Sequence, residues 1–295
     1  MPELPEVETV RRQLSQAIVG ATIKDVVVNF SGRLNLPPKK FVQLLKGKKF
    51  IGVERRAKLL IFKLSGDYFI LAHLKMSGRF LVRSLTPNPS PILLRRASAG
   101  QEVGGESGVD KHTHVIFKLS GGKEMHWNDF RKFGFLKLVD KKGLEEYLEA
   151  QAYGPEPLDK SFTWQKMAMC LRSAPKKKIK PHLLDQTCIA GIGNIYASEA
   201  LWFAGIHPMT LVGKISDEQM KKLYQGTVSV LKKAVAAHGT SADAYIDAFG
   251  KEGTFQKQLK VYGREGQSCR RCKTILKKIK VGGRGSAYCP KCQKI

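Results

Sequence analysis

FIGVERRAKLLIFKLSGDYFILAHLKMSGRFLV, residues 50–82, decides the fold class of this 295-residue chain. Val, Ile, Phe and Leu recur through it with frequent alternation, and Ser65-Gly66-Asp67 breaks the pattern where a hairpin needs a turn. Residues 22–30, 113–119 and 123–139 have the same character, with a second turn signal at Ser120-Gly121-Gly122. Strands joined by such turns run antiparallel, so an antiparallel β-sandwich or flattened barrel is expected for the first part of the chain. Residues 84–111, rich in Pro, Ser and Gly and without periodicity, read as an exposed insertion. From about residue 144 the period turns helical, with candidate helices at 144–151, 161–172, 180–186, 194–204 and 216–238. The expected class is α+β: a domain at 1–140, a linker at 141–153 and a helical domain at 154–262, divided near Tyr153-Gly154-Pro155-Glu156-Pro157. Residues 263–295 change character again, with short strands, glycines and cysteine pairs.

Ahead of the strands stands MPELPEVE at 1–8. Pro5 at a helix start, acids in the first turn, the stripe Val7, Val10, Leu14 and Ile18, and Gly20 as terminator predict a helix. Removal of Met1 would also make Pro2 a terminal secondary amine beside Glu3 and Glu6. A terminal amine has a reference pKa of about 8 against about 10.4 for lysine, so a useful fraction is nucleophilic near neutral pH. Attack on an aldehyde-like carbon would give an iminium with no N–H to lose, a permanent cation able to draw electrons from a neighbouring C–O bond.

Fifty-one Lys and Arg against 25 Asp and Glu leave a formal charge of +26, which points to a polyanionic partner, nucleic acid first. The excess is local. Residues 160–184 contain no acid, and residues 254–295 hold twelve basic residues against Glu265 alone. No apolar run approaches the roughly 20 residues that span a bilayer, and no secretion signal is visible, so an intracellular protein without membrane contact is expected, cytoplasmic or nucleoid-associated in a bacterium. Cys269-x2-Cys272 and Cys289-x2-Cys292 have the spacing of two knuckles presenting four thiolates to one ion. All-thiolate ligation favours one structural Zn2+ in a closed site. The hairpin between the pairs carries Gly282-Gly283-Arg284-Gly285, where glycines permit close backbone approach and Arg284 can reach into a groove. Cys170 and Cys188 remain, read as ordinary buried thiols.

PELPEVE at 2–8, RRAKLL at 55–60, HLKMSGRF at 73–80, NDFRKFG at 128–134, AGIGNIYASEALW at 190–202, AGIHP at 204–208, VYGR at 261–264 and the four-cysteine finger together resemble the bacterial-type formamidopyrimidine-DNA glycosylases. The resemblance spans nearly the whole chain in order; only 84–111 lacks a counterpart in shorter members. The endonuclease VIII branch is similar overall but usually begins PEGPE, so Leu4 favours the formamidopyrimidine branch. What the resemblance implies is a bifunctional base-excision enzyme that flips oxidised purines, 8-oxoguanine and formamidopyrimidines, out of double-stranded DNA, excises them and cuts the strand by β,δ-elimination. An endonuclease VIII-like enzyme for oxidised pyrimidines and a non-catalytic zinc-finger DNA-binding protein stay as alternatives.

By the same resemblance Pro2 is the nucleophile, Glu3 a proton carrier to the sugar ring oxygen, and Glu6 an aid in positioning the amine. Lys58, placed on a strand, is an acid or phosphate contact, and Arg284 assists the second elimination, better as a phosphate clamp than as an acid because arginine holds its proton. Met76, Arg131 and Phe133 correspond to the residues that fill and wedge the vacated stack. Gly191 and Gly193 would turn backbone amides toward a phosphate at a helix start, with Asn194 donating beside them. His112, Arg131, Lys176 and Lys180 are further phosphate contacts, with the lysine used in 176–178 left open. Residues 239–258 take the place of the loop that closes over the everted purine, with glycines suited to mobility. The helical domain is then of the helix-two-turn-helix type, and a monomer is expected.

Overall fold

The computed structural model describes residues 1–84, 110–242 and 245–295; nearly all of the expected 84–111 insertion lies outside them. Two four-stranded antiparallel sheets form the N-terminal part, ordered β1-β6-β7-β5 and β2-β3-β4-β8. Their strands are β1 (Ile23–Val28), β2 (Phe50–Arg56), β3 (Leu59–Leu64), β4 (Tyr68–His73), β5 (Arg79–Ser84), β6 (Thr113–Leu119), β7 (Lys123–Asn128) and β8 (Phe135–Asp140). Rings from both sheets meet in the core: Phe62 lies edge-on to Phe80 at 5.2 Å between centroids and Phe50 to Phe117 at 6.5 Å. Helix α1 (Leu4–Ile18) buries the expected stripe of Val7, Val10, Leu14 and Ile18 in the same core.

Three segments expected as single strands are pairs; two of the breaks expose a tip, and the third, at Ala57-Lys58, is buried. The segment 50–64 breaks at Ala57, whose φ of 52° turns the chain, so Lys58 sits in a two-residue turn between β2 and β3 and not on a strand. The segment 68–82 breaks around Lys75 and Met76, and 123–139 around residues 129–134. A short helix α2 (Pro38–Leu45), which the periodicity did not reveal, docks Phe41 and Leu45. The expected linker is mostly helix α3 (Lys141–Gln151), capped by the Asp140 side chain, with Tyr147 and Leu148 against Phe135 and Val139.

The second core is built by α4 (Trp164–Arg172), α5 (Ile179–Leu183), α6 (Asn194–Ala204) and α7 (Asp217–Ala236). Cys170 on α4 and Cys188 in the turn before α6 are joined as a disulfide across a Cα–Cα distance of 5.5 Å, correcting the expectation of two free thiols. Their separation of 18 residues hides a contact that the α4–α5 arrangement creates. Last come β9 (Lys277–Val281) and β10 (Arg284–Tyr288), a hairpin closed by Gly282 and Gly283, both at positive φ as a type I′ turn requires. Among the described residues no helix is long and apolar enough to cross a membrane.

Candidate active site

Helix α6 organises the site from both ends. At its N-terminus the Glu3 carboxylate accepts from the backbone amides of Ile195 at 2.9 Å and Tyr196 at 3.4 Å. An anion belongs at this positive end of the helix dipole, and here the protein supplies its own. Of the two glycines expected to turn amides toward a phosphate, Gly191 donates its amide to Gln186 at 2.8 Å, and the first amides of α6 beyond them are taken by Glu3. The two glycines serve close approach: a Cβ on Gly193 would lie 2.2 Å from the Glu3 carboxyl carbon, and one on Gly191 2.5 Å from Leu4. A backbone bond from the Leu4 amide to the Gly191 carbonyl, 3.1 Å, ties the N-terminal segment to the same turn.

Pro2, Glu3 and Glu6 are buried. Glu6 accepts from the Glu3 amide at 2.8 Å, from the Thr240 amide at 2.8 Å and from the Tyr196 hydroxyl. Burial, reinforced by the neighbouring Glu3 carboxylate, pushes Glu6 up to about 7. Burial also raises Glu3, against the opposing pull of Lys58 and the two α6 amides. Lys58 donates to the Ile192 carbonyl at 2.8 Å; burial lowers its pKa, with Arg284 adding to that effect and Glu3 opposing it. The turn at Ala57-Lys58 thus carries an amine that deprotonates more readily than a surface lysine, beside a carboxyl that holds its proton more tightly than a surface glutamate.

Arg284 stands exposed at the hairpin tip, within electrostatic range of Lys58 and Lys180. Lys180, expected as a phosphate contact, is fully buried, and its ammonium donates to Ser286 at 2.7 Å and Ser198 at 2.8 Å. It joins α5, α6 and β10 directly beneath Arg284, and burial lowers it to about 8, with Arg284 adding to the effect and Glu3 opposing it. Asn194 donates to the Gly285 carbonyl at 3.3 Å, a further link between α6 and the hairpin.

The C-terminal end of α6 anchors the finger. Arg271 donates to the Trp202 and Phe203 carbonyls at 3.2 Å and lies over the Trp202 ring. The sulfurs of Cys269, Cys272, Cys289 and Cys292 lie within 4.8 Å of one another, and the amides of Arg271 and Cys292 point at the Cys269 and Cys289 sulfurs at 3.4 Å. Four converging thiols with amides turned onto their sulfurs fit a tetrahedral zinc ion.

Two further tips lie between strands. Met76, Arg131 and Phe133 are all exposed, with Arg131 over the Phe133 ring at 5.1 Å. Buried Asp129 holds the second tip, accepting from the Gly134 amide at 2.6 Å and from the Ser77 hydroxyl of the first. His112 is partly exposed beside that tip, and Lys176 is exposed before α5. The segment 239–258, of which residues 243 and 244 are outside the description, was expected to be mobile, yet its described part is stitched down. Asp247 accepts from Gln13 on α1 at 2.7 Å, and the Ala248 carbonyl accepts from Val82 of β5 at 3.0 Å.

Several working residues escaped the sequence reading. Glu199, in the middle of α6, accepts from three successive amides of Lys260, Val261 and Tyr262 at 2.8–2.9 Å and so fixes the VYGR segment. His73, paired with Leu59 next to Lys58, is driven down to about 3 by burial and by Lys75 and Lys58, which leaves a neutral imidazole in the site. Tyr196 and Thr240 complete the Glu6 cluster. The signal for Glu199 was an acid inside an otherwise apolar helix.

The same order of parts appears in known proteins. Residues 1–136 match the model of the formamidopyrimidine-DNA glycosylase N-terminal domain, residues 153–245 that of its H2TH domain, and residues 266–295 that of the zinc finger found in FPG and IleRS. The formamidopyrimidine-DNA glycosylase of Desulfitobacterium hafniense is 42% identical over 274 residues, covering 92% of each chain. The chain belongs to the formamidopyrimidine-DNA glycosylase family. It is a base-excision-repair glycosylase with a zinc-finger domain. The Ligilactobacillus salivarius member of the family is 40% identical over 93% of this chain and 92% of its own length. The wild-type Lactococcus lactis FPG in complex with an oxidised pyrimidine containing DNA aligns over 100% of both chains at a TM-score of 0.86 and 35% identity. A variant of that protein bound to a Fapy-dG containing DNA gives a TM-score of 0.87 at 34% identity, again over 100% of both chains.

Proposed function

We propose that this glycosylase acts on double-stranded DNA carrying oxidised purines, 8-oxoguanine and formamidopyrimidines, and that Pro2 is its nucleophile once Met1 is removed. The observation that carries this reading is the enclosure of the N-terminal segment by Glu3, Glu6 and Lys58, with Arg284 within electrostatic range. The amine attacks C1′ of the everted nucleotide. Glu3, whose raised pKa suits it to carry a proton, protonates the ring oxygen as the sugar opens. The glycosidic electrons leave with the base, which takes up a proton, and the sugar remains as a cationic iminium on Pro2. That cation acidifies C2′; loss of its proton expels the 3′ phosphate, and a second elimination expels the 5′ phosphate.

Lys58, buried and easily deprotonated, transfers protons or contacts the phosphate of the reacting nucleotide. Arg284 clamps phosphate from the finger hairpin, and Lys180 supports it from below. Asn194, His112, Arg131 and Lys176 hold the backbone, while Met76, Arg131 and Phe133 fill the gap. One structural zinc on Cys269, Cys272, Cys289 and Cys292 keeps the hairpin in place and takes no part in the chemistry. The functional units are the sandwich at 1–140, the helix-two-turn-helix unit at 154–262 with its loop over the base, and the finger at 263–295, acting as a monomer inside the cell.

The Lactococcus lactis complex with an oxidised pyrimidine containing DNA makes that lesion class the competing substrate. Excision from matched duplexes carrying 8-oxoguanine opposite cytosine or thymine glycol opposite adenine separates the two. Faster release of 8-oxoguanine, with phosphate on both ends of the cut, is expected. Preference for thymine glycol would overturn the purine reading.

A further inference from the structure

The tip between β7 and β8 reads Phe130-Arg131-Lys132-Phe133, two aromatic residues around two cations, and all four side chains are exposed. Phe133 faces Arg131, whereas Phe130 meets His112 edge-on at 6.2 Å between ring centroids. The rings are exposed to the same degree, 46% for Phe130 and 49% for Phe133, at the end of a strand whose Trp127 is fully buried. The tip is rigid. Asp129 is wholly buried, receives the Gly134 amide, donates its own amide to the His112 carbonyl at 3.1 Å and receives the Lys132 amide on its carbonyl at 3.1 Å. The Arg131 amide is held on the Ser77 hydroxyl at 3.2 Å. A side chain on so fixed a turn cannot fold back onto the core, so the Phe130 ring stays in water until something covers it.

We propose that Phe130 is a further DNA-contacting residue, its ring packing with His112 on the deoxyribose and base of a nucleotide beside the wedged gap. The inference rests on the reading of Arg131 and Phe133 as the wedge. Phe130 adjoins that wedge in the chain, and the exposed cations Lys111, Arg131 and Lys132 next to Phe130 and His112 in sequence supply the charge that draws a phosphate backbone toward the ring. An aromatic face has no preference among bases, so the contact adds affinity without reading sequence. It also places two aromatic contacts, three residues apart, on one rigid tip, which fixes the register of the duplex against Pro2 better than one wedge can.

The test uses the full-length, zinc-loaded protein and a duplex with a central tetrahydrofuran abasic analogue, comparing Phe130→Ala, Phe130→Trp and Phe133→Ala at several salt concentrations, with melting temperatures as a check on folding. The expected result is a Kd about tenfold weaker for Phe130→Ala, near-normal binding for Phe130→Trp, and an unchanged salt slope, because a ring contact releases no counterions. Normal binding by Phe130→Ala while Phe133→Ala binds poorly would overturn the role of Phe130 and leave the wedge intact. Equal loss in Phe130→Ala and Phe130→Trp, or a reduced salt slope, would also overturn it. Normal binding by Phe130→Ala and Phe133→Ala alike would remove the wedge reading beneath it.

Discussion

Gly193 shows how a single hydrogen atom decides where the Glu3 carboxyl can sit. Its φ of −130° is open to any residue, so an alanine there meets no backbone penalty, only the Glu3 carboxyl carbon 2.2 Å from the new Cβ. Gly193→Ala is expected to displace Glu3 from the α6 amides and lower lesion incision by at least a hundredfold in a duplex-nicking assay, with bound zinc unchanged. Normal incision would show that the Glu3 position does not matter. Glu6 gives a pH signature. Its carboxyl titrates near 4.5 when unfolded and near 7 when folded, so the stability it contributes is full below about 4.5 and is lost as pH rises to about 7. Glu6→Gln removes that titration. The difference in melting temperature, variant minus wild type, should therefore climb between pH 4.5 and 7 and level off above; a flat difference would mean that Glu6 is not held in its acid form. Glu3 and Glu6 were legible as candidates from PELPEVE, but the Glu6 partners Tyr196 and Thr240 were not, because separations of 190 and 234 residues leave no mark on a local pattern.

At the scale of elements, periodicity located most helices and strands and misplaced the turns. No glycine, proline or asparagine marks a turn at Ala57-Lys58, so a hairpin read as one long strand, yet the positive φ at Ala57 is what lifts Lys58 to the Ile192 carbonyl. Gly78 and Gly134 stand at the other two tips, where close approach requires them: a Cβ on Gly78 would meet the Leu74 carbonyl at 2.6 Å and one on Gly134 the His73 carbonyl at 2.9 Å. Helix α2 has only eight residues, too few for a helical period to stand out. The Cys170–Cys188 bond is an element-scale device, since it pins α4 to the turn that leads to Gly191 and Ile192. Closing a loop of this length contributes about 3 kcal/mol in the chain-entropy account. A phosphine reductant should accordingly lower the melting temperature of the wild type and leave Cys170→Ser unmoved; equal responses in the two proteins would remove the bond from the account.

For the whole molecule, a formal charge of +26 dominates association with a polyanion. The logarithm of the DNA-binding constant should fall linearly with the logarithm of salt concentration, by about 0.9 per phosphate neutralised. With Arg131, Lys176, Arg284 and the basic finger in contact, a slope of several units is expected, and a salt-insensitive affinity would mean that these charges do not meet the backbone. The charge was plain in the sequence; its partition was not. Lys180, one of the basic residues around 160–184, is spent on internal hydrogen bonds to Ser198 and Ser286, which only packing reveals.

All three scales converge on the first few residues, which lie against the start of α6 with the Lys58 turn and the finger hairpin nearby. The most direct measurement is borohydride reduction during reaction with an 8-oxoguanine:cytosine duplex, followed by peptide mapping of the trapped protein–DNA adduct. A stable adduct on Pro2 of protein lacking Met1, with no trapping and no strand cleavage when Met1 is retained, is the predicted result. An adduct on any other residue, or full cleavage by protein that keeps Met1, would contradict it.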